Sequence, residues 1–235
     1  MQQRSLSAVE NRRIMSWSER LAAHWLLKSI GTATFIAVFI ALYLYLLKNP
    51  VFAVTEMPLT AVDRVIDFQP LTLPLYLSLW LYVSLPPALI ESRRQLINYG
   101  LAVGALCLTG LAVFLIWPSA VPAPDINWAR YPAFDFLKNI DGTGNACPSL
   151  HAATAVYSAI WLERLICEIN RSTAMRIINW IWCIGIVYSA LATKQHVALD
   201  VLAGAILGIM AAALSLRPAA GIISGAQQKQ PLSAR

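Results

Sequence analysis

A chain of 235 residues that is 58% hydrophobic and only 13% charged, with a mean hydropathy of +0.59, lies far from the soluble average of roughly 45 to 50% apolar and about 25% charged residues. That balance excludes an ordinary soluble enzyme and reads as an integral membrane protein, its length counted in spans of about 20 apolar residues. The net charge of +6 does not argue for a nucleic-acid partner, because the lysines and arginines fall in short stretches between apolar runs and not on one aromatic-bearing polar face.

In chain order, residues 1–29 read as a cytoplasmic segment with an amphipathic interfacial helix. Ile14, Trp17, Leu21 and Trp25 recur at helical spacing among Ser16, Glu19, Arg20 and Lys28, and His24 belongs to the same helix, facing headgroups or water. Six apolar segments follow: Ile30 to Leu47, Leu71 to Ile90, Tyr99 to Trp117, Leu150 to Ile166, Ile177 to Ala192 and Val197 to Leu216. They make residues 30–216 a six-span membrane domain of all-α class. The first segment lies too deep in the chain for a cleaved leader, and no small-residue cleavage site follows it. The second carries Pro86 and Pro87, which should kink it or end it early. Residues 217–235 are a polar cytoplasmic tail.

With the N-terminus inside, only Lys48, Arg64, Arg130, Lys138 and Lys194 of the 18 lysines and arginines fall outside. The positive-inside rule then puts both termini in the cytoplasm and the loops after the first, third and fifth spans on the periplasmic, exterior or lumenal side. Cys107, Cys147, Cys167 and Cys183 show no metal spacing, and no structural disulfide is expected.

Two polar stretches stand at the edges of apolar runs on that outer side. In Cys147-Pro148-Ser149-Leu150-His151, Ser149 stands where a helix N-cap should, and the first turn behind it offers free amides and a positive dipole end to an anion. His151 lies in that turn. In Thr193-Lys194-Gln195-His196-Val197-Ala198-Leu199-Asp200, His196 and Asp200 are four apart and share a face if helical, so the carboxylate can fix the imidazole tautomer. Lys194 adds a positive charge. His196, Asp200, Gly204 and Gly208 form one stripe, and its GxxxG portion lets another helix approach closely, the small face of His151, Ala155, Ser158 and Ala159 being the matching one. Anion binding with histidine chemistry is what the two stretches together support. The bland alternative makes Ser149 a plain cap, His151 a helix-end histidine and His196 with Asp200 a structural pair.

These residues resemble the type 2 phosphatidic acid phosphatase superfamily. Pro148, Ser149 and His151 match its Pro-Ser-Gly-His motif, with Leu150 in place of the glycine. Ser189, His196 and Asp200 fit its motif of Ser-Arg, five residues, His, three residues, Asp, with Ala190 in place of the arginine. The family's lysine and Arg-Pro motif is replaced by WPSAVPAP. The TKQH run followed by Asp is similar to the branch containing inositol phosphorylceramide synthases, which pass a phosphoryl-linked headgroup between lipids.

What the resemblance implies is a metal-independent phosphoesterase or phosphotransferase without a cofactor. His196 would be the nucleophile, Asp200 its orienting group and His151 the acid and base. Ser149, Leu150 and neighbouring amides would hold the phosphate, with Lys194 standing in for the arginine and Arg130 or Lys138 for the absent first-motif cations. The substrate would be a lipid phosphate or diphosphate, and the acceptor water or a lipid hydroxyl. A non-catalytic membrane protein of the same fold is the third reading.

Overall fold

The computed structural model describes residues 15–134, 144–169 and 171–216. Helix α1 (Trp17–Ala22) begins with a reciprocal cap: the Ser16 hydroxyl accepts the Glu19 N–H at 3.4 Å and the Glu19 carboxylate accepts the Ser16 N–H at 2.8 Å. The sequence reading carried this helix through His24 to Trp25. Instead His24 adopts φ +55°, a left-handed conformation that ends one helix and starts the next, and Trp25 opens α2 (Trp25–Lys48).

α1 is fastened to the end of another helix by its cation. Arg20 is buried, pairs with Glu91 at 3.1 Å and donates to the Leu89 carbonyl at 3.4 Å. Lys28 donates to the carbonyls of Arg20 at 2.6 Å and Ala88 at 2.7 Å. Helix-end carbonyls have no intrahelical donor, and here two side-chain cations supply one.

Among the described residues, five helical stretches are long and apolar enough to cross a membrane. They are α2, the run Pro70–Leu89, α6 (Arg93–Ile116), α8 (Thr173–Ala192) and α9 (Ala198–Ser215). Pro70–Leu89 comprises a 3₁₀ turn and two helices, α4 (Leu73–Leu77) and α5 (Leu79–Leu89), with the short α3 (Ala61–Val65) before them. α5 runs through Pro86 and Pro87 and ends at Leu89, and the break in this span falls at Ser78.

The fourth apolar segment forms α7 (Leu150–Ile169), which is not among the five, since Glu163, Arg164 and Glu168 occupy its second half. It is the centre of the bundle, packed by α5, α6, α8 and α9, with Ala152, Ala153, Ala155, Tyr157 and Ala159 fully buried. Large apolar side chains such as Leu101, Ile181, Ile184 and Leu202 face outward instead, as helices in a lipid solvent allow.

Polar side chains cross-brace the interior. Asn179 donates to the Ala159 carbonyl at 3.0 Å and accepts from the Tyr82 hydroxyl at 2.6 Å, tying α8 to α7 and α5. The Tyr157 hydroxyl donates to the Tyr99 carbonyl at 3.1 Å, tying α7 to α6. The closest approach is between α7 and α9. A Cβ built on Gly204 would overlap the Ser149 carbonyl oxygen, and one on Gly208 the Ala153 carbonyl oxygen, so only glycine lets the two backbones touch.

Candidate active site

The site is assembled where α7 and α9 begin. The chain enters α7 across a cis Cys147–Pro148 peptide. Ser149 then acts as N-cap, its hydroxyl accepting the Ala152 N–H at 3.1 Å, while its own N–H donates to the Asp200 backbone carbonyl at 3.0 Å. Behind this turn stands the WPSAVPAP stretch. Its Ser119 is fully buried: the hydroxyl accepts the Cys147 N–H at 2.9 Å and the carbonyl accepts the Ala146 N–H at 3.1 Å. Ser119 belongs to β2 (Ser119–Ala120), which pairs in parallel with β1 (Thr55–Glu56), so the turn rests on a small two-strand brace. Burial, and then the Asp200 carboxylate, hold the Cys147 thiol above its ordinary range.

The second half follows α8. Lys194 reverses the chain with φ +56°, and the N–H groups of Gln195 and His196 both donate to the Ala190 carbonyl, at 3.2 and 3.1 Å. His196 therefore sits in the turn ahead of α9, not on a helix face as its spacing suggested; the left-handed turn at Lys194 delays the helix to Ala198. The pair with Asp200 still forms. His196 Nδ1 lies 3.3 Å from Asp200 Oδ2, and that same oxygen accepts the Val197 N–H at 3.2 Å. One buried carboxylate thus caps α9 and faces the imidazole.

His151 and His196 face each other with ring centroids 6.1 Å apart, inclined at 46°. Tyr76 of α4 stacks on the other side of His151 at 4.1 Å and 10°. His151 Nε2 is buried and has no hydrogen-bond partner among the described residues. An unpartnered buried nitrogen costs about 1 to 3 kcal/mol, which a fold tolerates where a ligand will fill the place.

Ser149, Leu150, His151, His196 and Asp200 come together as the sequence suggested. Leu150 occupies the glycine position by packing toward α6, where Gly110 leaves it room. Lys194 is directed elsewhere: its ammonium donates to the carbonyls of Asp63, at 3.0 Å, and Ile66. Arg130 is exposed at the end of a 3₁₀ turn, Trp128–Arg130. That segment is held by Phe68, whose ring meets Trp128 at 5.5 Å and Tyr131 at 5.1 Å. Lys138 lies outside the described residues. Among the described residues no three His, Cys, Asp or Glu side chains gather as a metal cage.

Sequence reasoning missed three contributors. Asp63 of α3 accepts the Ala198 N–H at 2.8 Å and so caps α9 from far away in the chain, while also accepting the Thr60 N–H at 2.7 Å. Its Thr60-x-x-Asp63 cap spacing was readable, its second use was not. Ser119 and Tyr76 carried no local signal.

The two histidines also line one end of a partly open cavity of about 810 Å³ bordered by α2, α4, α5, α6 and α7.

The family model described as the PAP2 superfamily matches residues 95–220. The chain belongs to the PAP2 superfamily. The PAP2 match spans α6 to α9 and so contains Ser149, His151, His196 and Asp200, whereas Tyr76, Asp63 and the α2 wall of the cavity come from outside it. No curated protein and no solved structure matches the chain. PAP2 membership, with several apolar helices, makes this a membrane protein of the phosphatase or phosphotransferase type.

Proposed function

We propose that the protein hydrolyses a lipid phosphate or diphosphate through a phosphohistidine at His196. The observation that carries this reading is the facing histidine pair at one end of an apolar cavity, with His196 Nδ1 3.3 Å from the Asp200 carboxylate and His151 Nε2 unpartnered among the described residues. Held through Nδ1, His196 attacks phosphorus with Nε2. A P–N bond forms, the bond from phosphorus to the leaving oxygen breaks, and His151 protonates that oxygen. His151 then takes a proton from the acceptor, whose oxygen displaces the histidine and releases the phosphoryl group. The first-turn N–H groups of Leu150 and His151, behind the Ser149 cap, hold the non-bridging oxygens, and Arg130 and Lys138 are the cations that the reading assigns to them from the outer loop.

In this reading α7 also crosses the membrane, as the fourth of six spans, α1 is interfacial, both termini are cytoplasmic and the site opens on the outer face. Residues 30–216 are the catalytic unit and no metal takes part. The test is phosphate release by detergent-purified protein from a panel of lipid phosphates, with His196→Ala alongside and with chelator present. Release that persists within twofold in chelator and vanishes in the variant is expected; full dependence on magnesium refutes the mechanism.

Headgroup transfer to a lipid hydroxyl is the second reading. It is favoured by the placement of His151, which faces the apolar cavity under Tyr76 and would meet a lipid acceptor there. Labelled headgroup appearing on an added lipid alcohol, with little free phosphate, distinguishes it.

A further inference from the structure

The cavity that begins at the histidines extends far beyond what a phosphate needs. Its wall on α2 runs from Leu44 back to Leu27, about 25 Å at the helical rise per residue. α2 and α6 run side by side in the same direction: the Tyr43 ring meets Phe114 near their last turns, and the cavity's other end lies between Leu27 and Ile97 in their first. A hydrocarbon core of about 30 Å gives each leaflet about 15 Å, so a cavity of this length passes the midplane.

Several polar groups of its lining are already committed. Asn145 donates to the Tyr43 carbonyl at 3.1 Å, Thr154 to the Leu150 carbonyl at 2.8 Å and Ser84 to the Trp80 carbonyl at 2.8 Å. Lys28, at the far end, is held by two carbonyls. An apolar occupant would break none of these bonds, and Phe35 and Phe39 offer it an aromatic wall between the ends. At the far end stand Gly31 and Gly100, both lining the cavity, and a Cβ built on either meets nothing within 4 Å. Glycine is a poor helix residue, and neither of these two is required by a close helix contact. Their effect is to keep that end open.

We infer that the cavity is a tail site for a lipid phosphate whose hydrocarbon chain is longer than one leaflet. The phosphate lies between the histidines and the chain's end lies beside Gly31 and Gly100; only the phosphate end rests on the phosphatase reading. A polyprenyl-type chain meets the length, and an ordinary diacylglycerol phosphate, whose chains end near the midplane, leaves the far third empty.

Two measurements test it. In the first, a long-chain polyprenyl phosphate carrying a photoactivatable group at its far end is cross-linked to the full-length protein and to His196→Ala, and the labelled residues are mapped. Labelling around Gly31 and Gly100, displaced by unlabelled long-chain phosphate at a far lower concentration than by farnesyl phosphate, is expected; labelling spread over lipid-facing residues such as Leu101 and Ile181 overturns the inference. In the second, Gly31→Phe and Gly100→Phe, which plug the far end, should lower kcat/KM for the long-chain phosphate by about tenfold or more and leave farnesyl phosphate within twofold. Equal values for both substrates in wild type and variants overturn it. Labelling without hydrolysis keeps the tail site and refutes the phosphatase reading, and hydrolysis without labelling does the reverse.

Discussion

Gly204→Ala should damage the site without touching any group that meets the substrate. The added methyl would overlap the Ser149 carbonyl oxygen, where real contacts come no closer than 3.0 Å. The obstacle is backbone, so no side chain can swing aside, and relief requires α7 and α9 to separate by roughly 1 Å. Overpacking of this kind costs about 1 to 3 kcal/mol. Ser149 also donates its N–H to Asp200, so the same shift stretches the bond joining the two halves of the site and widens the gap between His151 and His196. A misplacement of about 1 Å in reacting groups lowers turnover by about 100-fold. The assay is phosphate release by purified protein, with thermal unfolding in the same detergent. Gly104→Ala is the control, because its Cβ would meet only Phe35, at 4.0 Å. If Gly204→Ala keeps kcat within twofold and its unfolding midpoint, the close packing of α7 on α9 is not what sets the histidine geometry.

Asp200→Asn keeps the shape and an oxygen for the Val197 N–H but removes the charge facing His196. It should lower kcat by about 100-fold or more with stability changed by under about 1 kcal/mol, read from initial rates and unfolding midpoints. Lys194→Met removes the donor to the Asp63 and Ile66 carbonyls, and should cost about 1 to 2 kcal/mol of stability. Its KM should change less than its unfolding midpoint; a large rise in KM with an unchanged midpoint would make Lys194 a phosphate ligand instead.

The membrane class and the ends of most spans were legible because a lipid-facing helix must be apolar over a fixed length. α2 extends five residues earlier than its hydrophobic run, since the cut fell where Lys28 interrupts it, and Lys28 is held by carbonyls within the fold. The Gly204 and Gly208 stripe pointed to α7 as the partner helix, because close packing leaves only small residues as a choice, but not to its face: the glycines meet Ser149, Ala152, Ala153 and Tyr157, not the face of His151, Ala155, Ser158 and Ala159. The role of Lys194 was not legible. Charge and position suggested an anion ligand, whereas its left-handed turn directs the side chain to the end of α3, more than a hundred residues earlier in the chain. Tyr76 and Ser119 also lie outside the motifs they support, and a long-range contact of this kind leaves no periodicity behind.

The bond from Ser149 N–H to the Asp200 carbonyl also bears on how the protein is made. The His151 turn leaves the ribosome about fifty residues before the helix that secures it, and α8 has to be threaded between the two events. Until α9 arrives, the first turn of α7 lacks its backbone partner and the two glycine contacts. The geometry of the candidate site is therefore complete only once α9 is in place, and a nascent chain halted within α8 would hold the His151 turn without the contacts that fix it.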